Sequence, residues 1–427
     1  MFLPHICLKN KSDIFVGCNL LSEVWSLSSA KSIGNNHLSQ SVRFDQLSLS
    51  PLLLRGISQA KFEICTPIQA SSLPHSLNGK DVIGQAQTGT GKTAAFLVTV
   101  IEDLLRNPVT DEHYLGEARA LILAPTRELA IQIGHDARTL SRFTDLSIHV
   151  LVGGIDPEKQ LSMLRKKPCD ILIGTPGRLL DFSKDSNIHL DRLEILVVDE
   201  ADRMLDMGFI PQVRQLINQA PRPHLRQSLM FSATFSRDIE RLISSWTDNP
   251  IVIRTEKEDL ATENVDQKIL ITTSAEKFKL LHNILLQEDL GNAIIFANRR
   301  DTCRSLFDRL KNLGFKVGLL SGEVPQNRRL KTLQNFKTGH VKLMVATDVA
   351  GRGIHIDGVS HVINYELPEE PEDYVHRIGR TGRAGEAGTS ISFACEDDAF
   401  LLEPIEGLLD KKLDCSQPPA ELLIDVT

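Results

Sequence analysis

Short apolar runs that do not alternate with polar residues, each closing on a polar or glycine-rich cluster, set the frame for this chain. "DVIGQA", "ALILAP", "DILIGT", "ILVVDE" and "LMFSAT" recur between residues 81 and 234. An unalternating run rich in Val, Ile and Leu is the pattern of a strand buried on both faces, as in a parallel sheet. Between the runs lie longer stretches with helical spacing, such as "KTAAFLVTVIEDLL". Strands alternating with helices predict a mainly parallel sheet with helices on both faces, an α/β fold. After Arg254 the polar stretch "TEKEDLATENVDQ" reads as a linker, and the pattern restarts with "KILITT", "AIIFAN", "VGLL", "KLMVAT", "HVINYE" and "TSISFA". The expectation is two α/β domains, 43–254 and 266–427, joined by 255–265. Residues 1–42 show no sustained periodicity and are expected to form a poorly ordered extension. In open parallel sheets ligands bind beyond the carboxyl ends of the strands. Nearly every run places its polar cluster there, so two such domains facing each other would form a cleft.

A length of 427 residues exceeds one ordinary core, in keeping with two domains. The seven cysteines (7, 18, 65, 169, 303, 395 and 415) are scattered and form no CxxC pair. Neither a zinc site nor a disulfide framework is indicated, and reduced thiols point to the cytoplasm. No apolar run approaches the length of a membrane span, and residues 1–42 lack the basic start and apolar run of a signal peptide. The net charge of −7 comes entirely from residues 396–427, which carry nine acidic and two basic residues. The remaining 395 residues hold 46 charges of each sign. A nucleic-acid partner would therefore be held without a large basic surplus.

"AQTGTGKT" (Ala86–Thr93) follows one of the strand runs and opens a helical one, and it has the spacing of a phosphate-binding loop, with Ala86 at the first glycine position. Small residues let the backbone N–H groups of Ala86, Gln87, Thr88, Gly89, Thr90 and Gly91 curl around phosphates, and the helix N-terminus adds a favourable dipole. Lys92 is placed to reach the β and γ phosphates, and the Thr93 hydroxyl to ligate Mg²⁺. "ILVVDEAD" puts two carboxylates at a strand tip. Asp199 can hold Mg²⁺ through water, and Glu200 can orient or deprotonate an attacking water. A DE pair alone can equally cap the next helix; the phosphate loop in the same domain favours the catalytic reading. These features indicate NTP hydrolysis without saying what it drives. "HRIGRTGR" (His376–Arg383) gathers three arginines among glycines in the other domain. By itself it can be a nucleic-acid grip, half of a catalytic site or a solvated turn.

The spelling Asp199-Glu200-Ala201-Asp202 resembles the DEAD-box RNA helicases, and the rest of that family's motifs follow in order. "PTRELA" stands at 125–130, "GG" at 153–154, "TPGR" at 175–178, "SAT" at 232–234, "IIFAN" at 294–298 and "ATDVAGRGIHI" at 346–356, before "HRIGRTGR". "FEICTPIQ" (Phe62–Gln69) is similar to the family's adenine-reading segment, with Phe44 upstream. The resemblance covers about residues 43–395 and implies two tandem RecA-like domains, ATP with Mg²⁺ as nucleotide and metal, and RNA bound without sequence preference. It implies that Gln69 bonds the adenine edge, Phe44 stacks on its ring, and Arg380 and Arg383 act as arginine fingers with Lys92, Asp199 and Glu200. Coupling would run through Asp202, Ser232, Thr234, His376 and Arg377. RNA contacts would come from Pro125, Thr126, Arg127, Gly154, Thr175, Gly177 and Arg178, and from Asn298, Gly322, Arg329 and Thr347. Glycines, hydroxyls and a few arginines suit phosphate and 2′-OH groups rather than base edges.

Several positions depart from the common family pattern: Lys61 and Cys65 for glycine and proline, Ser321 for histidine, Gly351 for alanine, and His355 for an aspartate expected near the ribose. Cys65 and His355, with "EDYVHRIGRTGRAG" and "SISFACE", look most like the family's bacterial RhlB type. That branch implies ribonuclease E as a partner and RNA degradation as the setting. Ribosome assembly, or an RNA clamp with low turnover, are the alternatives.

Overall fold

The computed structural model describes residues 42–86, 89–109, 112–254, 265–287, 290–348, 358–382 and 387–425. The N-terminal extension and nearly all of the linker fall outside the described residues, as do Gln87, Thr88, Gly351, His355 and Arg383.

Among the described residues, fourteen strands form two seven-stranded sheets, every pairing between them parallel. The first contains β1 (Val82–Gln85), β2 (Ala118–Leu123), β3 (Ile148–Leu151), β4 (Cys169–Gly174), β5 (Ile195–Val198), β6 (Gln227–Ser232) and β7 (Ile251–Arg254), in the order β3-β4-β2-β5-β6-β1-β7. The second contains β8 (Val265–Ile271), β9 (Asn292–Phe296), β10 (Val317–Leu320), β11 (Leu343–Ala346), β12 (Val359–Asn364), β13 (Gly388–Ala394) and β14 (Cys415–Ser416), in the order β10-β11-β9-β12-β13-β8-β14. Every residue of β2, β5 and β6 is buried, as unalternating apolar runs require when helices cover both faces. Separate apolar clusters form on the two faces of the first sheet, one around Phe96, Ile122 and Phe231, the other around Leu121, Leu196 and Trp246.

Strand order decides which motifs meet. β5, β6 and β1 are neighbours, so the carboxylate pair, "SAT" and the phosphate loop leave one end of the sheet side by side. β3, β4 and β2 are neighbours too, with β2 next to β5, and "GG", "TPGR" and "PTRELA" leave the same edge. The second sheet repeats the arrangement: β10, β11 and β9 deliver Gly322, Thr347 and Asn298 together.

The segment carrying Phe44 is fixed to the first domain by a buried carboxylate. Glu102, on the helix Lys92–Arg106, accepts from the Ser50 backbone N–H at 2.7 Å and hydroxyl at 3.1 Å, and from Arg106 Nε at 2.7 Å. Ser50 immediately precedes the helix Pro51–Gln59, so this contact registers the N-terminal helix against the one that begins at the phosphate loop.

Candidate active site and nucleic-acid interface

Gly89 and Gly91 both adopt left-handed φ, 95° and 94°, which curls the loop before the helix that starts at Lys92. A side chain at Gly91 would also collide with Gln69, whose Nε2 lies 2.5 Å from where its Cβ would be. The Ala86 N–H bonds Ser232 O at 3.1 Å, anchoring the loop to β6. Lys92 is buried, its Nζ 4.0 Å from Asp199 Oδ1 and without a hydrogen-bond partner among the described residues. A buried ammonium left without acceptors is costly. An anionic ligand would relieve that cost, and triphosphate oxygens supply the acceptors. The half-buried Thr93 and buried Asp199 add oxygen donors of the hard type that Mg²⁺ prefers. The residues therefore fit a nucleotide with its metal.

Burial pushes the Asp199 carboxyl up, against the pull of Lys92. For Glu200, burial alone would raise the carboxyl, but the positive charges of Arg203, Lys92, Arg380 and His376 outweigh it and hold the group below its usual range. Arg380 and His376 belong to the second half of the chain, so the field at Glu200 is built from both sheets. Glu200 also has φ 52° and ψ 55°, a left-handed backbone at a non-glycine residue. That conformation costs about 1–3 kcal/mol and concentrates at functional sites.

Asp202 binds the "SAT" backbone directly. Its Oδ2 accepts from Ala233 N at 3.0 Å, Thr234 N at 2.9 Å and Thr234 Oγ1 at 3.2 Å. Its own N–H donates to Ser232 Oγ at 3.2 Å, and Ser232 Oγ donates to Thr234 O at 2.8 Å. The three residues assigned to coupling in this half thus form one network.

Gln69 sits at the start of the helix Pro67–Ser76. Its Oε1 accepts from Thr66 N at 2.9 Å and its Nε2 donates to Gly91 O at 3.0 Å. One N–H and one lone pair remain for a base edge. Replacing Gln69 by alanine is expected to raise the Michaelis constant for ATP roughly tenfold, the worth of one or two such bonds. RNA binding without nucleotide should be unchanged; steady-state kinetics that show a wild-type constant for ATP would refute the role. Phe44 is 2% exposed and its ring stacks on Phe62, centroids 6.3 Å apart, while Phe62 is 41% exposed. Phe62 thus presents the open aromatic surface and Phe44 supports it.

In the second half, Arg377 is fully engaged. It bonds Asp348 through both carboxylate oxygens at 2.6 Å, Glu366 O at 2.7 Å, Asn298 Oδ1 at 2.7 Å and Asn364 Oδ1 at 3.4 Å. A guanidinium with every donor committed braces its surroundings rather than waiting for a ligand. Arg380, four per cent exposed, donates from Nε to His376 O at 3.1 Å.

Of the residues assigned to RNA, Thr126 caps the helix Arg127–Leu140 through its Oγ1, and Arg127 is exposed. Pro125 and Thr175 are buried at the strand ends, Thr347 is likewise buried at the end of β11, and Gly322 is exposed. A Cβ at Gly154, where φ is 75°, would fall 2.4 Å from Arg127 Nη1, whereas one at Gly177 would meet nothing within 4 Å. Arg178 Nη1 donates to Ile155 O at 3.1 Å. Asn298 spends its amide on Arg377 and on Leu367 O, the latter at 2.8 Å. Arg329 pairs with Glu128 Oε1 at 3.1 Å, and Gln326 Nε2 donates to the same oxygen at 2.8 Å, a contact between the two halves. Glu128 lies inside "PTRELA" but its partners are about 200 residues away, so nothing local marks it.

A DEAD/DEAH box helicase family model matches residues 66–242, and a helicase conserved C-terminal domain model matches 276–385. The ATP-dependent RNA helicase RhlB of Pseudomonas aeruginosa (strain UCBPP-PA14) is 54% identical over 381 residues, 89% of this chain and 96% of that protein. Among solved structures, S. cerevisiae Dbp5 bound to RNA and ADP BeF3 superposes with a TM-score of 0.78 at 31% identity, covering 88% of this chain and 95% of that one. Mss116p bound to ssRNA and AMP-PNP gives 0.81 at 28% identity, covering 92% and 83%.

Proposed function

This chain belongs to the DEAD-box ATP-dependent RNA helicases, of the RhlB type, and we propose that it unwinds short RNA duplexes locally by closing its two halves around ATP and one RNA strand. The observation that carries this reading is the contact between the halves, Gln326 Nε2 and Arg329 Nη2 meeting Glu128 Oε1 at 2.8 and 3.1 Å, with the charges of Arg380 and His376 from the second half also felt at Glu200. A site completed from two sheets works only when they are together, which ties hydrolysis to closure. The likeness to two neighbours bound to RNA and nucleotide supports the same reading.

In this mechanism Lys92 and the loop Ala86–Thr93 hold the phosphates, while Gln69, with Phe44 behind Phe62, reads the adenine. Thr93 and Asp199 would hold Mg²⁺, which when bound neutralises phosphate charge. Glu200 orients the attacking water, and Arg380, with Arg383, stabilises charge on the transferred phosphoryl group. Pro125, Thr126, Arg127, Gly154, Thr175, Gly177 and Arg178, with Asn298, Gly322, Arg329 and Thr347, line the RNA path. Asp202, Ser232 and Thr234 connect that path to the nucleotide, and Arg377 keeps the second half in register. The domain limits follow as 43–254 and 266–427. The RhlB likeness supports RNA degradation in the cytoplasm with ribonuclease E as partner. Ribosome assembly or low-turnover clamping would need the same site.

ATPase rates measured with RNA and with DNA of the same sequence test the reading. RNA is expected to stimulate strongly and DNA weakly, since the proposed contacts suit 2′-OH groups. Equal or stronger stimulation by DNA would overturn it.

A further inference from the structure

We propose that Gln160, which none of the motifs above includes, is a positioning residue for RNA: its amide closes the turn 152–155 and so places Arg127 and Arg178. The inference rests on the reading of Arg127, Gly154 and Arg178 as RNA contacts.

Gln160 lies on the helix Pro157–Leu164 and is five per cent exposed. Its Oε1 accepts from Val152 N at 2.8 Å, and its Nε2 donates to Val152 O at 3.2 Å and Ile155 O at 3.2 Å. Val152 is buried immediately beyond β3. The amide thus pairs with both backbone polar groups of one residue, as a neighbouring strand would, and pins the far side of the turn as well. Only an amide of this length supplies an acceptor and two donors together. A glutamate would turn a carboxylate toward two carbonyl oxygens, and a leucine would leave buried backbone groups without partners.

Both arginines rest on the turn so closed. A Cβ at Gly153 would lie 3.3 Å from Arg127 Nη2, and one at Gly154 would lie 2.4 Å from Arg127 Nη1, so the guanidinium lies directly against the glycine pair. Arg178 donates at 3.1 Å to Ile155 O, the carbonyl that also takes Gln160 Nε2. Arg127 starts the helix after β2 and Arg178 lies on the helix after β4. The turn is where the two approach each other, and Gln160 sets its shape. A phosphate backbone read by two forks depends on their separation, so loosening the turn weakens RNA without touching the nucleotide site.

The test compares Gln160→Leu, Gln160→Glu, Arg127→Ala, Arg178→Ala and the double variant Gln160→Leu/Arg178→Ala. Each is measured for single-stranded RNA affinity with a non-hydrolysable ATP analogue, nucleotide affinity without RNA, and thermal transition. Each Gln160 variant is expected to lose about tenfold in RNA affinity, the worth of one or two hydrogen bonds. Nucleotide affinity and a cooperative transition should be retained. The double variant should lose less than the product of the two single losses, because both act on one turn. Multiplicative losses, wild-type RNA affinity in both Gln160 variants, or joint loss of the thermal transition and nucleotide binding would each overturn the proposal. Wild-type RNA affinity in both Arg127→Ala and Arg178→Ala would instead overturn the RNA reading of the turn itself.

Discussion

Replacing Arg380 by alanine is expected to cut RNA-stimulated ATP hydrolysis by about 10³, the low end of what an arginine finger contributes in related phosphoryl transfers. The residue is nearly buried, its Nε held by the His376 carbonyl at 3.1 Å, and its charge helps keep Glu200 ionised although the two lie on different halves. A guanidinium in that position can meet a γ-phosphate only when the halves are together. Single-stranded RNA affinity should survive the substitution. Lysine at 380 should rescue little, because it restores the charge but not the planar fork. The outcome that sinks this assignment is the reverse pattern, RNA affinity lost with hydrolysis intact, which would make the arginine run a basic grip. Arg383, proposed as the companion finger, lies outside the described residues.

The second large effect is at Glu200. Glu200→Gln keeps the shape and removes the negative charge, and hydrolysis is expected to fall by about 10²–10⁴, the usual range for a lost general base. The surrounding positive charges hold the native carboxyl below its usual range, so at neutral pH it is ready to accept a hydrogen bond from water. The substitution also disturbs Arg203, whose Nε is 3.6 Å from Glu200 Oε2 and whose terminal nitrogens have no hydrogen-bond partner among the described residues. Losing one member of a buried ion pair can cost about 3–5 kcal/mol. A lower thermal transition is therefore expected beside the kinetic loss. ATP and RNA binding, measured directly, should persist and separate the two effects. Turnover at the wild-type rate would remove Glu200 from the mechanism.

All eleven apolar runs fall on strands; the fully buried ones, such as β2, β5 and β6, are apolar enough for composition to show them. The strands that composition did not mark were β3, β7 and β14. All three lie at or next to an open edge: β3, β7 and β14 end their sheets. β3 alternates half-buried with buried residues, β7 ends exposed and both residues of β14 are exposed. Partial solvation admits polar residues and dilutes the pattern. At the site, the phosphate loop and the carboxylate pair stand out by their local spacing, whereas the arginine run by itself leaves three readings open and takes its expected role only from the family resemblance. Gln160, Glu128 and Phe62 do not stand out in this way, since only their contacts in the fold set them apart.

The sequence by itself determined that the chain makes parallel α/β sheets, carries the spacing of a phosphate loop and, far from it in sequence, a strand-end carboxylate pair, and resembles the DEAD-box RNA helicases. Those properties are written in consecutive residues: strand burial in runs, loop curvature in glycines, chemistry in side-chain type. Only the tertiary structure decided who meets whom. Gln69 reaches Gly91 over 22 positions, Arg377 reaches Asp348 over 29, and Gln326 reaches Glu128 over 198. Such pairings depend on the order in which strands enter a sheet and on how the two sheets face each other. Burial then raises the cost of any polar group left unpaired, so the fold selects the partners.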